Sequence, residues 1–408
     1  MTRVVSVESK GHTGRHFTLA GVRVFVGDCS LLGICFAIYF FSTGFDFLAI
    51  ASGVSLARLI AVALIVICLF NARNLRFERS SACGCLFASM GVALIPLLLM
   101  DNPQSGINPF FSFELSVAIA FFALCLPFKE GDVKLCEFAM VAVGLVMCVL
   151  LFVSPGAVGT DWVSDRVVVN IAGSQQDPNE FCGYMLFAVS LLTYTAVKRQ
   201  HWWNLALVAV IFYCVLLTGS RGGLIANAVA FVAAFCVGFK QTNRRMVWAV
   251  LAGVVMFAVV VNIDEVLASL PPSVAERFTG ANMSSGTASF RTQAWVDVLT
   301  AYISSDPIRQ IFGHGYGATT QVTFNGLVAH NSYVEVLYTF GLAGLVCYLG
   351  SVAVALVRAL HAGRMPLAIT ILAFLTLLMT LSAYPFKPFW ATIAIALMAR
   401  KPKGDNEP

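Results

Sequence analysis

The chain has 408 residues, 59% of them hydrophobic and only 12% charged. A soluble domain carries about 25% charged residues, and the repeated apolar runs indicate a polytopic helical membrane protein rather than a globular core. The net charge of +5 gives no reason to expect a nucleic-acid partner, because the basic residues are dispersed among short loops.

Twelve apolar stretches are predicted to span a membrane. They lie near 22–41, 56–71, 81–100, 112–128, 135–154, 180–197, 202–219, 222–239, 246–263, 332–357, 365–384 and 386–399. No cleavable signal peptide is evident, so the first stretch reads as an uncleaved helix. With the N-terminus in the cytoplasm, 19 of the 26 lysines and arginines fall on the cytoplasmic side, as the positive-inside rule requires. Both termini are then cytoplasmic, and the longest polar interval, residues 264–331, is exoplasmic between spans nine and ten. The seven remaining cations are Arg58, Arg166, Arg221, Arg277, Arg291, Arg309 and Lys387. They sit where topology disfavours them. Arg277, Arg309 and Lys387 read as ordinary solvated loop charges.

Two outward helix starts are legible in detail. In Asp177-Pro178-Asn179-Glu180, Asp177 suits the N-cap, Pro178 the first helical position and Glu180 a capping box. Asn179 is left unexplained, and a polar segment carrying Arg166 precedes it. In Thr218-Gly219-Ser220-Arg221-Gly222-Gly223, Ser220 suits the N-cap. The glycines are expected to leave the first backbone N–H groups uncovered, making an anion site beside Arg221.

Within the long loop, residues 289–304 have helical apolar spacing. They predict an amphipathic helix on the membrane surface, with Arg291 in its first turn and Trp295 and Tyr302 at headgroup level. Gly313-His314-Gly315-Tyr316-Gly317 predicts a flexible turn and not a dinucleotide fingerprint, since no strand precedes it. His330-Asn331 caps the start of span ten, and Gly341 with Gly344 suits close helix packing.

Of six histidines only His314 and His330 face out. Histidine is the side chain best matched to general-base work near neutral pH. His330, fixed where a loop meets a span, is the better candidate. No outward carboxylate cluster resembles a metal site. A bound diphosphate would have to be met by guanidinium groups, whose planar fork suits phosphate oxygens. Arg221 and Arg291 lead, with Arg166 and Arg58 behind them. The twelve cysteines all lie in or beside apolar runs and read as small hydrophobes.

Taken together, Asp177-Pro178-Asn179, Thr218 to Gly223, Ser289-Phe290-Arg291 with Trp295, Gly313-x-Gly315-x-Gly317, and His330-Asn331-Ser332-Tyr333 followed by Gly341 and Gly344 resemble the bacterial O-antigen ligase and O-antigen polymerase superfamily. The motifs cover residues 160–350. The resemblance implies an all-α integral membrane protein of about twelve spans with a GT-C-like fold, one polytopic domain over residues 1–408, with residues 264–331 as its catalytic loop. It implies a metal-independent, inverting glycosyltransferase of the bacterial inner membrane, needing no cofactor and acting at the exoplasmic face. The donor would be a glycan on undecaprenyl diphosphate. The acceptor would be a further glycan in a polymerase or lipid A-core in a ligase, with polymerase slightly preferred. His330 would be the base and Arg221 and Arg291 the diphosphate ligands. His314, Asn179, Asn331 and Tyr333 would support them or touch the acceptor. The rival from another class, a twelve-span transporter, calls for two similar halves joined by a long cytoplasmic loop. Here the middle connection is short, and the largest loop is exoplasmic.

Overall fold

A computed structural model describes residues 16–19, 22–25, 28–51, 54–77, 81–100, 103–160, 163–278 and 287–399. It is mostly helical. The helices are α1 (Leu31–Ser42), α2 (Leu56–Phe70), α3 (Ser81–Leu99), α4 (Pro103–Cys125), α5 (Glu130–Val153), α6 (Pro178–Arg199), α7 (Trp203–Leu217), α8 (Arg221–Gln241) and α9 (Arg245–Val261). After short α10 (Ile263–Ala268) and α11 (Pro272–Ala275) come α12 (Thr287–Ile303), α13 (Pro307–Phe312), α14 (Thr319–Val322), α15 (Ser332–His361), α16 (Met365–Leu378) and α17 (Lys387–Met398).

Among the described residues, five helices are long and apolar enough to cross a membrane: α4, α5, α6, α8 and α15. Seven shorter apolar helices accompany them. The first of these begins at Leu31, not at residue 22. Val22–Phe25 instead pairs with His16–Leu19 in an antiparallel hairpin.

The core is centred on α6. It is buried along almost its whole length, packed between α5, α7, α8 and α16. The last helix, α17, is also enclosed, from Lys387 to Met398. Several polar side chains inside these helices turn back onto their own backbone. Ser190, Thr195, Thr370 and Thr392 each donate to the carbonyl four residues earlier, as a water-poor interior requires.

The chain is not all-α. Between α5 and α6 a three-stranded antiparallel sheet is formed by Pro155–Thr160, Val163–Ile171 and Ser174–Gln175. The run Val167-Val168-Val169 explains its middle strand, since β-branched side chains fit a pleated surface. Its register places Arg166 opposite Val158.

Helix α15 is bent. Gly341 has φ +70° and ψ −172° within it, a conformation that glycine adopts without steric cost. A Cβ there would lie 2.2 Å from the Ile311 carbonyl oxygen, and one on Gly313 would lie 2.1 Å from that of Thr339. The glycine turn after α13 is therefore pressed into the bend. His314 N–H donates to Tyr338 O (2.9 Å) and Gly315 N–H to Thr339 O (3.1 Å). This corrects the expectation of a flexible turn. It also gives Gly341 a different purpose from helix–helix packing.

Residues 264–331 are not a detached loop. Leu270, Val274 and Tyr316 belong to the main core. Trp295 and Tyr302 are half-buried and tied to the backbone of this segment. Trp295 Nε1 donates to Ala329 O (2.7 Å) and Tyr302 OH to Gln310 O (2.8 Å).

Candidate active site

The site is built on the turn between α7 and α8. Helix α7 ends at Leu217. Gly219, at φ +60°, then reverses the chain, and Ser220 caps α8 by accepting from Gly223 N–H (3.1 Å). The two glycines that follow are spaces for close packing. A Cβ on Gly222 would meet Thr380 Oγ1 at 2.2 Å, and one on Gly223 would meet Cys182 Sγ at 2.3 Å. Of the first N–H groups of α8, that of Gly223 is taken up by the Ser220 cap. The first turn of α8 leans on α6 and on the end of α16.

Three elements bring arginines to it. Arg166, on the middle strand, donates from Nε to Thr218 O (2.9 Å) and from Nη2 to Asn179 Oδ1 (3.1 Å). The same Asn179 oxygen accepts from Ser220 Oγ (2.8 Å). Asn179 thus joins the sheet, the start of α6 and the α7–α8 turn. Arg277, just after α11, donates from Nε to Gly219 O (3.0 Å). Arg291 comes from α12, one full turn inside the helix, because α12 begins at Thr287 and not at residue 289.

The electrostatics tie these groups together. Burial, then repulsion from Arg277, pushes Arg166 down to about 10, with Asp177 opposing and Arg291 adding to the repulsion. Arg277 is lowered by burial, Arg221 and Arg291. Arg291 is lowered by burial and Arg221, against Asp177. Arg277 and Arg291 each repel the other and Arg221, both repel Arg166, and the acid that opposes Arg166 and Arg291 is Asp177. Asp177 is already occupied as the N-cap of α6, accepting from Asn179 N–H (2.7 Å) and Glu180 N–H (3.0 Å). A bound anion would relieve the repulsion.

His330 lies within electrostatic reach of Arg291 and Asp177. Its φ is +51°, a left-handed conformation that costs a non-glycine residue about 1–3 kcal/mol and persists only where the surroundings impose it. Here the imposing groups are on both sides of it. The carbonyl of Ala329 is held by Trp295 Nε1. The N–H of Ala329 donates to Glu335 Oε2 (3.3 Å). The N–H of Asn331 donates to Ser382 Oγ (3.3 Å), which in turn donates to Glu335 Oε2 (3.1 Å). Thr319 Oγ1 donates to Glu335 Oε1 (2.7 Å). Asn331 caps α15 by accepting from Tyr333 N–H (3.0 Å) and Val334 N–H (3.2 Å). The imidazole itself accepts and donates no hydrogen bond among the described residues.

Glu335→Ala leaves the Thr319 hydroxyl, the Ser382 hydroxyl and the Ala329 N–H without their acceptor, at roughly 1–3 kcal/mol for each buried group. The expected result is lower thermal stability and a fall in kcat with little change in donor KM. Steady-state kinetics on the purified variant measures both.

The imidazole is held below the ordinary histidine value of 6.5 by burial first and by Arg291 second, against Asp177. A lowered value keeps a base unprotonated at lower pH. The acid limb of kcat/KM, which reports the free enzyme, is expected below pH 6.5 and to move up in Arg291→Gln, where a repelling charge is gone. A limb that stays put in that variant would separate the two residues.

Other expected site residues are placed elsewhere. Arg58 is on α2 with Nη1 directed to Asn108 Oδ1 (3.5 Å), and the structure does not bring it into the arginine group. Tyr333 donates its hydroxyl to Leu375 O (2.7 Å), which ties α15 to α16. His314 stacks on Tyr338, with ring centroids 4.1 Å apart, and its Nε2 is 2.8 Å from Ser305 Oγ. It belongs to the α13 turn, with Asp306 and Arg309 nearby. Two of the cations read as solvated loop charges are not. Arg277 is part of the site, and Lys387 is a buried ion pair with Asp46 that also donates to Ser112 Oγ (3.4 Å). Arg309 pairs with Asp306 within one helix at 3.7 Å.

Residues 205–349 match the family described as O-Antigen ligase (Wzy_C). That match over about a third of the chain supports the resemblance to the O-antigen ligase/polymerase superfamily. It covers Arg221, Arg277, Arg291, His314 and His330, while Arg166 and Asn179 precede it. With the apolar helices, the match over these residues supports an integral membrane protein of the O-antigen ligase/polymerase type. No curated protein matches it. A similar solved chain comes from "Structural coordination of polymerization and crosslinking by a peptidoglycan synthase complex". It is 15% identical, with a TM-score of 0.42 over 77% of this chain and 96% of that one. That likeness is too distant to bear on fold or chemistry.

Proposed function

We propose that this ligase/polymerase-type protein is an inverting glycosyltransferase that moves a glycan from undecaprenyl diphosphate to an acceptor sugar hydroxyl at the exoplasmic face. The observation that carries the reading is the gathering of Arg166, Arg221 and Arg277 at one turn, with Arg291 in electrostatic reach of all three, beside a histidine clamped in a strained conformation. His330 takes the proton of the acceptor hydroxyl as that oxygen attacks the anomeric carbon. The bond from the anomeric carbon to the diphosphate oxygen breaks on the opposite face, so the configuration inverts. The negative charge that develops on the leaving undecaprenyl diphosphate is met by preorganised guanidinium donors. These supply the positive charge that a divalent metal provides in other phosphate sites, which supports a metal-independent reaction.

Twelve apolar helices among the described residues, with lysine and arginine concentrated at alternate ends, support a twelve-span topology with both termini in the cytoplasm. Residues 264–331 then lie outside, above the spans. The prenyl chain runs in a groove among apolar helices. A further glycan repeat is favoured as acceptor, because no soluble acceptor-recognition segment interrupts the described helices. The alternative acceptor is lipid A-core.

Purified protein incubated with lipid-linked repeat units tests the reading. A ladder of longer glycans with no other acceptor present is the expected result and identifies a polymerase. Transfer only after lipid A-core is added identifies a ligase. No transfer to either acceptor contradicts glycosyl transfer itself.

A further inference from the structure

The bend in α15 marks a level in the molecule. Residues 332–340 before it are rich in polar groups, among them Ser332, Tyr333, Glu335, Tyr338 and Thr339. Residues 342–361 after it are apolar and, at about 1.5 Å per residue, cover roughly the 30 Å of a hydrocarbon core. Gly341 therefore stands where α15 meets the outer leaflet. The carbonyl of Ile311 abuts that same glycine, so α13 lies at this boundary. The turn after α13 reaches the last turns of α3, where Tyr316 OH donates to Ala93 O (3.1 Å) and Gly315 fits against Met100 and Pro96.

Three large apolar side chains stand out from this segment, beside exposed Ser304, Asp306 and Pro307. Ile303 is 72% exposed, Ile308 61% and Ile311 47%. The neighbouring α3 and α15 expose Leu98, Leu342 and Val346 in the same way, and those helices are apolar elements of an integral membrane protein. The apolar surface of the α12–α13 corner thus continues that of the spans. Its polar groups are satisfied internally. Gln310 Nε2 donates to Ile303 O and Ser305 O, both at 3.0 Å. Asp306 caps α13 through Ile308 N–H (3.0 Å) and Arg309 N–H (3.1 Å), and Tyr302 covers the Gln310 carbonyl. Backbone that meets lipid must be satisfied in this way, whereas a corner bathed in water has no such need.

We propose that Ile303, Ile308 and Ile311 form a keel immersed in the outer leaflet, with phospholipid acyl chains as its partner. The keel holds the C-terminal end of α12 at the lipid boundary. That fixes the height of Arg291, twelve residues back along the same helix and about 18 Å away along its axis, relative to the plane in which a lipid diphosphate sits. This second consequence rests on the glycosyl-transfer reading; contact with lipid does not.

Two measurements on the full-length protein in phospholipid nanodiscs separate them. In Ile308→Trp the emission added over the parent protein is expected to be quenched by phospholipid brominated near the top of the acyl chain and shielded from aqueous iodide. Iodide quenching without bromine quenching overturns the keel, whatever the enzyme does. In Ile308→Glu, transfer from the long-chain donor in bilayers is expected to fall about tenfold, while transfer from a short-chain donor in detergent keeps the parental rate. Equal loss in both settings, with the tryptophan variant still quenched by bromine, overturns the height-setting role. Parent protein that transfers from neither donor counts against glycosyl transfer and leaves the fluorescence result standing.

Discussion

His330→Ala is expected to lower glycan transfer by about 10²- to 10⁴-fold, the usual contribution of a positioned general base, while the protein remains folded and still binds the lipid-linked donor. Three structural facts lead to this result. The imidazole is half-buried and keeps its ring nitrogens free of hydrogen bonds to described residues. Its backbone is held at φ +51° by clamps on Ala329 and Asn331. Its proton affinity is lowered by burial and by Arg291, which suits a group that must start the reaction neutral. Alanine keeps the Cβ that makes this backbone conformation costly, and the imidazole bonds to no described residue, so the melting temperature should stay close to that of the parent. Single-turnover transfer and thermal unfolding on the same preparation check both halves. Activity within a few fold of the parent would mean that the proton leaves by another route.

Lysine at Arg221 or Arg291 is expected to cost about ten- to a hundredfold in kcat/KM, the loss of one charge-assisted hydrogen bond worth roughly 1.5–3 kcal/mol. The charge stays and the fork goes, so the effect reads geometry rather than net charge. Arg277, which the structure adds to the group, should behave like them. Arg166→Lys differs in kind. It also breaks the bridge from Thr218 O to Asn179 Oδ1, so stability should fall together with activity. Full activity in both Arg221→Lys and Arg291→Lys would argue against diphosphate binding.

The sequence carried the parts of this site that depend on local pattern. Asp177-Pro178 announces the start of α6, Ser220 that of α8, and Asn331 that of α15, because capping is decided by three or four neighbouring residues. The helical, membrane-embedded character followed from the apolar runs. What escaped depends on distant partners. Arg277 looked like a loop charge because nothing near it discloses that Gly219, 58 residues away, turns its carbonyl toward it. Lys387 finds Asp46 across 341 residues. Gly313 and Gly341 are needed because two backbones meet there, and sequence alone offers flexibility as the simpler reason for a glycine. Trp295 reads as a headgroup anchor from its spacing, but the Ala329 carbonyl that takes its N–H is 34 residues on. The strand carrying Arg166 has a local signal in Val167-Val168-Val169, whose β-branched side chains favour a pleated surface.

Coupling between bond formation and diphosphate release tests the central claim most directly. Purified protein in proteoliposomes, given an α-linked or β-linked lipid diphosphate glycan of defined anomeric configuration, should release one undecaprenyl diphosphate for each glycosidic bond formed. The new bond should have the opposite anomeric configuration, and His330→Ala should show neither product. Retained configuration, or glycan transfer without equimolar release of the lipid diphosphate, would contradict a single displacement driven by His330 and the arginine cradle.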